Sequence, residues 1–541
     1  MEKRLLLAAA LSLGVLILWE WVVPKPPRAP ARRPVATAPP VAASAAPTPA
    51  GAVSANAPSL PPPVSAAAAE SITLENSVVR VRISNRGATI ESFVLLRHTD
   101  EDRNPLELVR QLPAPAEKPL AIAFPSDSAA SARLSGALFE VERPGPRSVR
   151  LRYADDRLAV TKEIRLGDGY LCDVDVSVHG PAFVLYAATG LRNPTEQELS
   201  SRYVMPATAI ARTPGGFERV AATKLEKPRT WPLEERGFAG VEDNYFLAVL
   251  IPKGPATAEA IPIAAKDPAG KPAPTVAVGV TGSGELSARA YFGPKDVTIL
   301  ESVNLGLEKT VDFGWYGVLA RPILWLLKRA YQWLGNYGLA ILLVTLLIRI
   351  LLFPLMYRSY ASMKKMQKLA PKMNAIRDKY KKARTDAAAR QKMNEELMKL
   401  YQSEGYNPMS GCLPLLLQLP ILVAFYNVLR FAVELRHAPF VFWIRDLSAV
   451  DHTYVLLILM IVSMYAQQAM TPSTADPAQK KIFMFMPLIW GVLFKDMPSG
   501  LVLYWLFSNV LTVIQQMIIN RLGDKDEPPA GKPARAKPAR A

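Results

Sequence analysis

The chain has 541 residues and a formal charge of +17, and half of its residues are hydrophobic, yet its mean hydropathy is only slightly positive. That combination fits apolar spans joined to a sizeable soluble part, in several domains. Two isolated cysteines, Cys172 and Cys412, and four scattered histidines argue against a disulfide framework and against a protein metal site.

The N-terminus opens with Lys3 and Arg4, followed by an apolar run from Leu5 to Val23 that carries Trp19 and Trp21 near its end. The run exceeds a usual signal-peptide core, and Trp19, Glu20 and Trp21 stand where small cleavage-site residues belong. Residues 1–23 therefore read as an uncleaved transmembrane signal anchor with its basic end in the cytoplasm. Residues 24–70 are dominated by Pro, Ala, Ser, Thr and Val and read as a disordered linker, because such a composition buries no core.

From residue 71 to 312 the apolar pattern has period two. Ser77-Val-Val-Arg-Val-Arg-Ile-Ser84, Ser148-Val-Arg-Leu-Arg-Tyr153 and Leu171-Cys-Asp-Val-Asp-Val-Ser-Val178 alternate, and Gly and Pro clusters separate such runs. The pattern predicts a large antiparallel β-sandwich. His98 and His179 read as ordinary surface or turn residues. Residues 313–334 change to helical spacing, with Arg321, Lys328 and Gln332 on one stripe and Leu319, Ile323, Leu326 and Ala330 on another. With Trp315, Trp325 and Trp333 interspersed, this predicts an amphipathic helix in the headgroup plane.

Residues 335–520 hold five apolar spans. The first, Asn336–Tyr357, contains Arg349, a side chain that keeps its charge. Near the bilayer centre such a charge costs about 2.5–3.5 kcal/mol on insertion scales. Snorkelling is one account, since Tyr357 and Arg358 mark a water boundary about 12 Å away. A wet or acidic interior is the other. The remaining spans run Cys412–Leu435, Tyr454–Met470, Ile482–Phe494 (with Pro487 inside) and Ser499–Ile519. Counting the anchor gives six, with both termini in the cytoplasm. Arg358–Ser410 carries 13 Lys/Arg against 5 Asp/Glu, whereas Arg436–His452 carries two of each. That bias puts the β domain outside.

Residues 358–410 read as a cytoplasmic helical hairpin. Met363, Met366, Met373, Ile376 and Tyr380 share one side, and Met393, Leu397, Leu400 and Tyr401 share another. Packing of the two arms accounts for most of these methionines; such a face also adapts to varied apolar partners. Pro371 should kink or restart the first arm, and Gly405 and Asn407-Pro408 should stop the second. Residues 521–541 form a basic tail. The basic segments flank apolar helices, which makes an anionic membrane surface the nearer partner; ribosomal RNA fits the same charge.

Gly411-Cys-Leu-Pro-Leu-Leu-Leu-Gln-Leu-Pro-Ile421, Pro498-Ser-Gly-Leu-Val-Leu-Tyr-Trp505, Ser508-Asn509, Ile514-Gln-Gln516, Ala438-Pro-Phe440, Trp443-Ile-Arg-Asp-Leu-Ser448 and Ser362-Met-Lys-Lys-Met-Gln-Lys-Leu-Ala-Pro-Lys372 together resemble the YidC/Oxa/Alb family of membrane protein insertases. The anchor, linker and β domain resemble its Gram-negative form, localised to the bacterial inner membrane with the β domain in the periplasm. The resemblance covers about Phe313 to Asn520. It implies that Arg349 sits in a hydrophilic groove open to cytoplasm and lipid but closed to the outside. It also implies that apolar parts of a client leave along the third and fifth spans.

Thr345, Gln418, Tyr504, Trp505, Asn509 and Gln515 complete the expected client-binding groove. For Gln418 and Asn509 taken singly, an interhelical hydrogen bond worth about 0.6 kcal/mol is the simpler account. Lys364, Lys365, Lys379, Lys381, Lys382 and Arg384 are the expected recruitment residues for clients or ribosomes. The expected partners are nascent membrane proteins and lipids, with the Sec translocon, the signal recognition particle receptor and the ribosome as further candidates, and no DNA. No catalytic residue, cofactor or metal is expected, since no Gly-rich phosphate loop and no catalytic arrangement occurs. The alternative is a secondary transporter or channel, which would need inverted repeats with broken helices.

Overall fold

The computed structural model describes residues 61–523 apart from 114–116, 195–197, 199–204, 267–269, 381–385, 406–412 and 471–476. The anchor and most of the linker lie outside the described residues. Residues 61–70 do not behave as linker. Val64 and Ala154 exchange main-chain hydrogen bonds of 2.9 Å, and the Ala66 amide donates to Leu138 at 2.9 Å. A main-chain bridge needs no apolar side chain, so composition could not reveal it.

The alternating runs form strands at Val79–Ser84, Ser148–Ala154 and Leu171–His179. They belong to three antiparallel sheets of four, five and nine strands. The nine-stranded sheet runs in the order Gly216–Ala221, Thr208–Thr213, Phe238–Glu242, Phe246–Pro252, Glu285–Pro294, Leu171–His179, Ala159–Leu166, Ser148–Ala154, Glu140–Gly145. Both smaller sheets cover the same face of it. Phe93 of the four-stranded sheet meets Phe292 with ring centroids 5.1 Å apart. Ala188 of the five-stranded sheet lines one small cavity with Ala248 and Phe292. Lys162 points into this core from the strand Ala159–Leu166 and is fully buried. Its ammonium donates to the carbonyls of Ala88 (2.8 Å) and Leu120 (2.5 Å) and so ties the three layers together. Burial lowers its pKa to about 7.

Nine helices are described: α1 (Ser128–Gly136), α2 (Val297–Val303), α3 (Gly317–Leu334), α4 (Tyr337–Lys379), α5 (Ala387–Ser403), α6 (Leu413–Phe431), α7 (Val455–Met470), α8 (Pro477–Phe494) and α9 (Ser499–Gly523). Among the described residues, Tyr337–Lys379 and Ser499–Arg521 are long and apolar enough to cross a membrane, and Leu416–Phe431, Val455–Met470 and Ile482–Phe494 are shorter apolar stretches. Gly335 ends α3 in the left-handed conformation (φ +63°), and Asn336 starts α4 by accepting from the Leu339 amide at 3.0 Å. This two-residue corner packs α3 back onto α4 and α6. The buried stripe of α3 is Ala320, Ile323, Leu324, Leu327 and Ala330, while Leu319 is exposed. The apolar face is thus rotated from the one expected, because α4 and α6 set which side is covered.

Pro371 does not restart a helix here: α4 runs continuously through Pro354 and Pro371. Each proline removes one main-chain bond, and the other bonds of a long helix carry it across. Met366, Met373 and Ile376 of α4 pack with Met393, Leu397, Leu400 and Tyr401 of α5, as arm-to-arm packing requires. Gly405, at φ +62°, follows the end of α5; Asn407 and Pro408 lie outside the described residues.

The β domain and the helices meet at Arg436 and Lys328, beside a set of charge pairs within the β domain. Arg436 donates to the Thr99 carbonyl at 2.7 Å and lies over the rings of Tyr245 and Phe246. His98 packs edge-on against Phe246 at 5.8 Å rather than lying free on the surface. Burial and the Arg436 cation lower its pKa to about 4, so it is neutral at pH 7. Nearby, Lys295 pairs with Glu242 at 2.9 Å, Arg219 with Glu242 at 2.7 Å, and Arg192 with Asp243 at 2.8 Å and Glu198 at 2.7 Å. Lys328 of α3 bridges Asp296 (2.9 Å) and Glu434.

Candidate functional site

Arg349 lies on α4 where that helix faces α6 and α9, and is 9% exposed. Its Nη2 donates to Ser508 Oγ of α9. The same hydroxyl accepts from Gln418 Nε2 of α6 at 3.3 Å, and Gln418 Nε2 also donates to Tyr504 Oη at 2.6 Å. Gln515 Nε2 reaches back to the Arg349 carbonyl at 3.4 Å. The Tyr504 ring stacks on Phe425 with centroids 4.2 Å apart, which fixes its hydroxyl towards Gln418. Three helices therefore converge on one guanidinium.

Chemically the cluster is a cation without a counter-ion. Among the described residues no carboxylate pairs with Arg349; its polar neighbours are hydroxyls and amides. A guanidinium offers five donors in a planar fork suited to a carboxylate. Ser508 occupies one direction of that fork.

The expected groove residues divide between two sides of α9. Tyr504, Ser508 and Gln515 fall on the stripe facing Arg349, at i, i+4 and i+11. Trp505, Asn509 and Gln516 fall on the next stripe and face α7 and α8. Asn509 Nδ2 donates to Ser463 at 2.9 Å and Gln516 Nε2 to the Met470 carbonyl at 2.6 Å. Trp505 packs against Trp490 and Phe494, with centroids 5.3 and 5.1 Å away. Asn509 thus makes an interhelical bond of the simple kind, to α7. Thr345, one turn before Arg349, donates to the Ile341 carbonyl of its own helix at 2.6 Å. A hydroxyl in an apolar helix satisfies itself most cheaply this way. Ser508 is the residue that sequence reasoning missed. Its phase with Tyr504 and Gln515 was the available signal.

Of the expected recruitment residues, Lys379 is described and pairs with Glu396 at 2.9 Å across the hairpin, on its exposed surface. Lys381, Lys382 and Arg384 lie outside the described residues, as do the side chains of Lys364 and Lys365. Cys172 is buried in the β core, where burial pushes its thiol up to about 12; Cys412 lies outside the described residues.

Residues 329–526 match the family described as the 60Kd inner membrane protein, and residues 71–326 match the YidC periplasmic domain. The two matches define the class: an inner-membrane protein with a β-rich periplasmic domain and a helical C-terminal region. The membrane protein insertase YidC of Syntrophus aciditrophicus (strain SB) is 33% identical over 561 residues, which cover 96% of this chain and 100% of that protein. That of Geobacter metallireducens is 45% identical over a shorter stretch of 289 residues, so that the match spans about half of either chain, 52% of each. A crystal structure of active YidC insertase with its first transmembrane domain resolved matches 84% of this chain and 94% of its own, at 19% identity and a TM-score of 0.36. The chain belongs to the YidC family of membrane protein insertases.

Proposed function

We propose that this chain inserts proteins into the inner membrane by lending a client a buried, unneutralised cation during entry. The observation that carries the reading is Arg349: buried among three helices and held by the Ser508 hydroxyl, with no described carboxylate beside it. A client segment bearing an acidic or polar group would exchange that hydroxyl for its own carboxylate. The desolvation cost of entry falls by the strength of the new pair. The attraction has to be transient, because a tight pair in low dielectric would trap the client. Partition of the client's apolar segment into lipid then completes insertion. The outer face of α8 is rich in exposed Leu, Ile, Phe and Val, and α6 exposes Leu416 and Leu419, which suits a lateral path beside lipid.

In the same reading, six spans place both termini and the α4–α5 hairpin in the cytoplasm. The basic hairpin receives clients there, with the ribosome, the signal recognition particle receptor and the Sec translocon as partners of the process. The polar cluster is reached from the cytoplasmic side and sealed outside by α3 and by the packing of Tyr504 on Phe425. Full-length protein reconstituted in lipid vesicles, supplied with a client whose short translocated tail carries an acidic residue, tests it. Protease protection of the tail should depend on the protein and weaken when the tail is made basic. Equal protection of acidic and basic tails would overturn the electrostatic step.

A further inference from the structure

The loop between α6 and α7, residues 432–454, has a buried side and an open side. Ala438, Ile444 and Leu447 belong to the main core, whereas Val441, Phe442 and Trp443 are exposed, Phe442 by 89%. Main-chain bonds hold this shape. The Phe440 amide donates to the Ile444 carbonyl at 3.0 Å, that of Ile444 to Val441 at 3.2 Å, and that of Leu447 to Ala438 at 2.9 Å. The Asp446 carboxylate accepts from the His437 and Ser448 amides at 3.1 and 2.7 Å. The turn sets Phe442 at φ +55°, a left-handed conformation that disfavours bulky side chains. Its ring stacks on Trp443, with centroids 6.1 Å apart, and is otherwise open. Packing does not account for an aromatic pair held out in this way. The loop's charges divide likewise. Arg436 is engaged by the Thr99 carbonyl, and Asp451 by the Thr453 hydroxyl and amide and the Leu456 amide. Arg445 is exposed, and among the described residues no hydrogen bond or ion pair engages it.

We infer that Phe442, Trp443 and Arg445 form a lipid-docking wedge: the two rings enter the interfacial layer of the bilayer on the β-domain side, and the guanidinium takes a lipid phosphate. This rests on α4, α6, α7 and α9 being spans and on nothing about clients. The position suits it. Asn336, where α4 starts, donates to the Phe440 carbonyl at 3.0 Å, so the tip lies level with the end of that helix. At the far end of the loop α7 begins, and Tyr454, Val455, Ile458 and Leu459 continue the exposed apolar surface. Aromatic rings favour the level where hydrocarbon meets water, and a guanidinium fork matches a phosphate there. The wedge sets the depth of the polar cluster. Phe440 packs on Gly338 of α4, Ser499 of α9 donates to the Asp446 carbonyl at 2.7 Å, and the Gly500 amide donates to Leu447 at 2.9 Å. The loop is thus fastened to the two helices that carry Arg349 and Ser508. Arg349 stands about 16 Å along α4 from Gly338, near the middle of a hydrocarbon core about 30 Å thick. Holding the loop at the interface holds the cation at mid-depth.

Two measurements test the wedge on full-length protein in vesicles of phosphatidylethanolamine and phosphatidylglycerol, both in a Cys172→Ala, Cys412→Ser background. In the first, Phe442→Cys carries an environment-sensitive nitrobenzoxadiazole probe. The same probe at Asp156→Cys, an exposed position of the β domain, is the aqueous reference. The probe at 442 should be quenched by headgroup-spin-labelled lipid, and about tenfold less by iodide than the reference. Iodide quenching equal to the reference overturns the wedge. Protection from both quenchers also overturns it, because a protein partner would then cover the tip. In the second, Leu339→Cys, exposed on the first turn of α4, is labelled with an impermeant maleimide added on the β-domain side. Adding Phe442→Ser and Arg445→Gln should speed that labelling about tenfold, the factor that corresponds to about 1.4 kcal/mol of looser anchoring. An unchanged or slower rate overturns the wedge as the device that sets depth. Neither readout needs a client, so both stand apart from the insertion reading.

Discussion

Lys162 and Arg349 are both buried basic groups with no carboxylate partner among the described residues, and the two halves of the molecule treat them oppositely. In the β core, Lys162 satisfies two main-chain carbonyls, and burial lowers its pKa to about 7, so it sheds its charge where the environment opposes it. Between the helices, Arg349 has no such escape, since a guanidinium keeps its proton. The part of the β domain next to the helices, with the junction itself, shows a third solution: Lys295, Arg219, Arg192 and Lys328 are each tied to carboxylates. Charges that serve architecture are neutralised by loss of a proton or by a partner. The charge that the proposed function assigns to the client is left in place.

The contrast breaks first at Arg349. Arg349→Ala should slow insertion of clients with acidic tails on the order of a hundredfold, the rate equivalent of about 2.5–3 kcal/mol. Arg349→Lys should keep much of the activity, but only where the amine stays charged: its rate should fall as pH rises across a range in which the wild type is flat. Reconstituted insertion rates at several pH values decide this, and Ala and Lys variants that behave alike would refute the charge argument.

At the junction the effect should fall on stability. Glu242→Gln leaves Lys295 buried beside a neutral group, and breaking such a pair costs about 3–5 kcal/mol. Thermal inactivation should come earlier, while insertion per folded molecule stays unchanged. A loss of specific activity without loss of stability would erase the distinction between architectural and working charges.

A smaller, several-fold drop is expected on deleting residues 379–390. The protein should stay folded and membrane-embedded, as judged by extraction and limited proteolysis, because the hairpin packs mainly on itself. Undiminished insertion would remove the hairpin from recruitment.

The subtlest test concerns Lys162. Its folded pKa is depressed, so folding is penalised in full below about pH 7 and the penalty is relieved as pH rises towards the unfolded value. Amide exchange in the strand Ala159–Leu166 should therefore slow between pH 7 and 9, after correction for intrinsic exchange. The underlying slope is about 1.4 kcal/mol per pH unit. Most of that window lies below the range, from about pH 8.5 upward, in which the buried Cys172 thiol acts in the opposite sense. Lys162→Met should flatten the slope.

Much of this organisation was legible in the sequence. Period-two runs gave the strands because one face of each is covered and the other wet. Arg349 stood out because nothing else in its span was charged, and the Gly335-Asn336 corner carried its own stop and start. Other features were hidden for physical reasons. Residues 61–70 join the β domain through main-chain bonds, which composition does not encode. Asn509 and Ser508 are adjacent, and only helical phase separates the one that braces α7 from the one that holds Arg349. Thr345 shared a face with Arg349, but its hydroxyl found a nearer acceptor in its own backbone. Met363 looked like a hairpin residue but packs with Met356 and Tyr360 instead, because sequence shows spacing along α4 and not which helix lies opposite.

The unbroken course of α4 also has a mechanical meaning. Its 43 residues make a rod about 64 Å long. Near its origin Gly338 lies so close to Phe440 that an added methyl carbon would sit 2.0 Å from the ring, while Asn336 donates to the Phe440 carbonyl at 3.0 Å. That end is tightly packed, so a tilting of the helix would pivot there. A tilt of about 10° there sweeps the far tip through about 11 Å yet carries Arg349, a quarter of the way along, through only about 3 Å. Pro354 and Pro371 place two compliant joints on the long arm, beyond Arg349. A large swing at the hairpin about that end would thus reach the cation as a small, geared-down displacement.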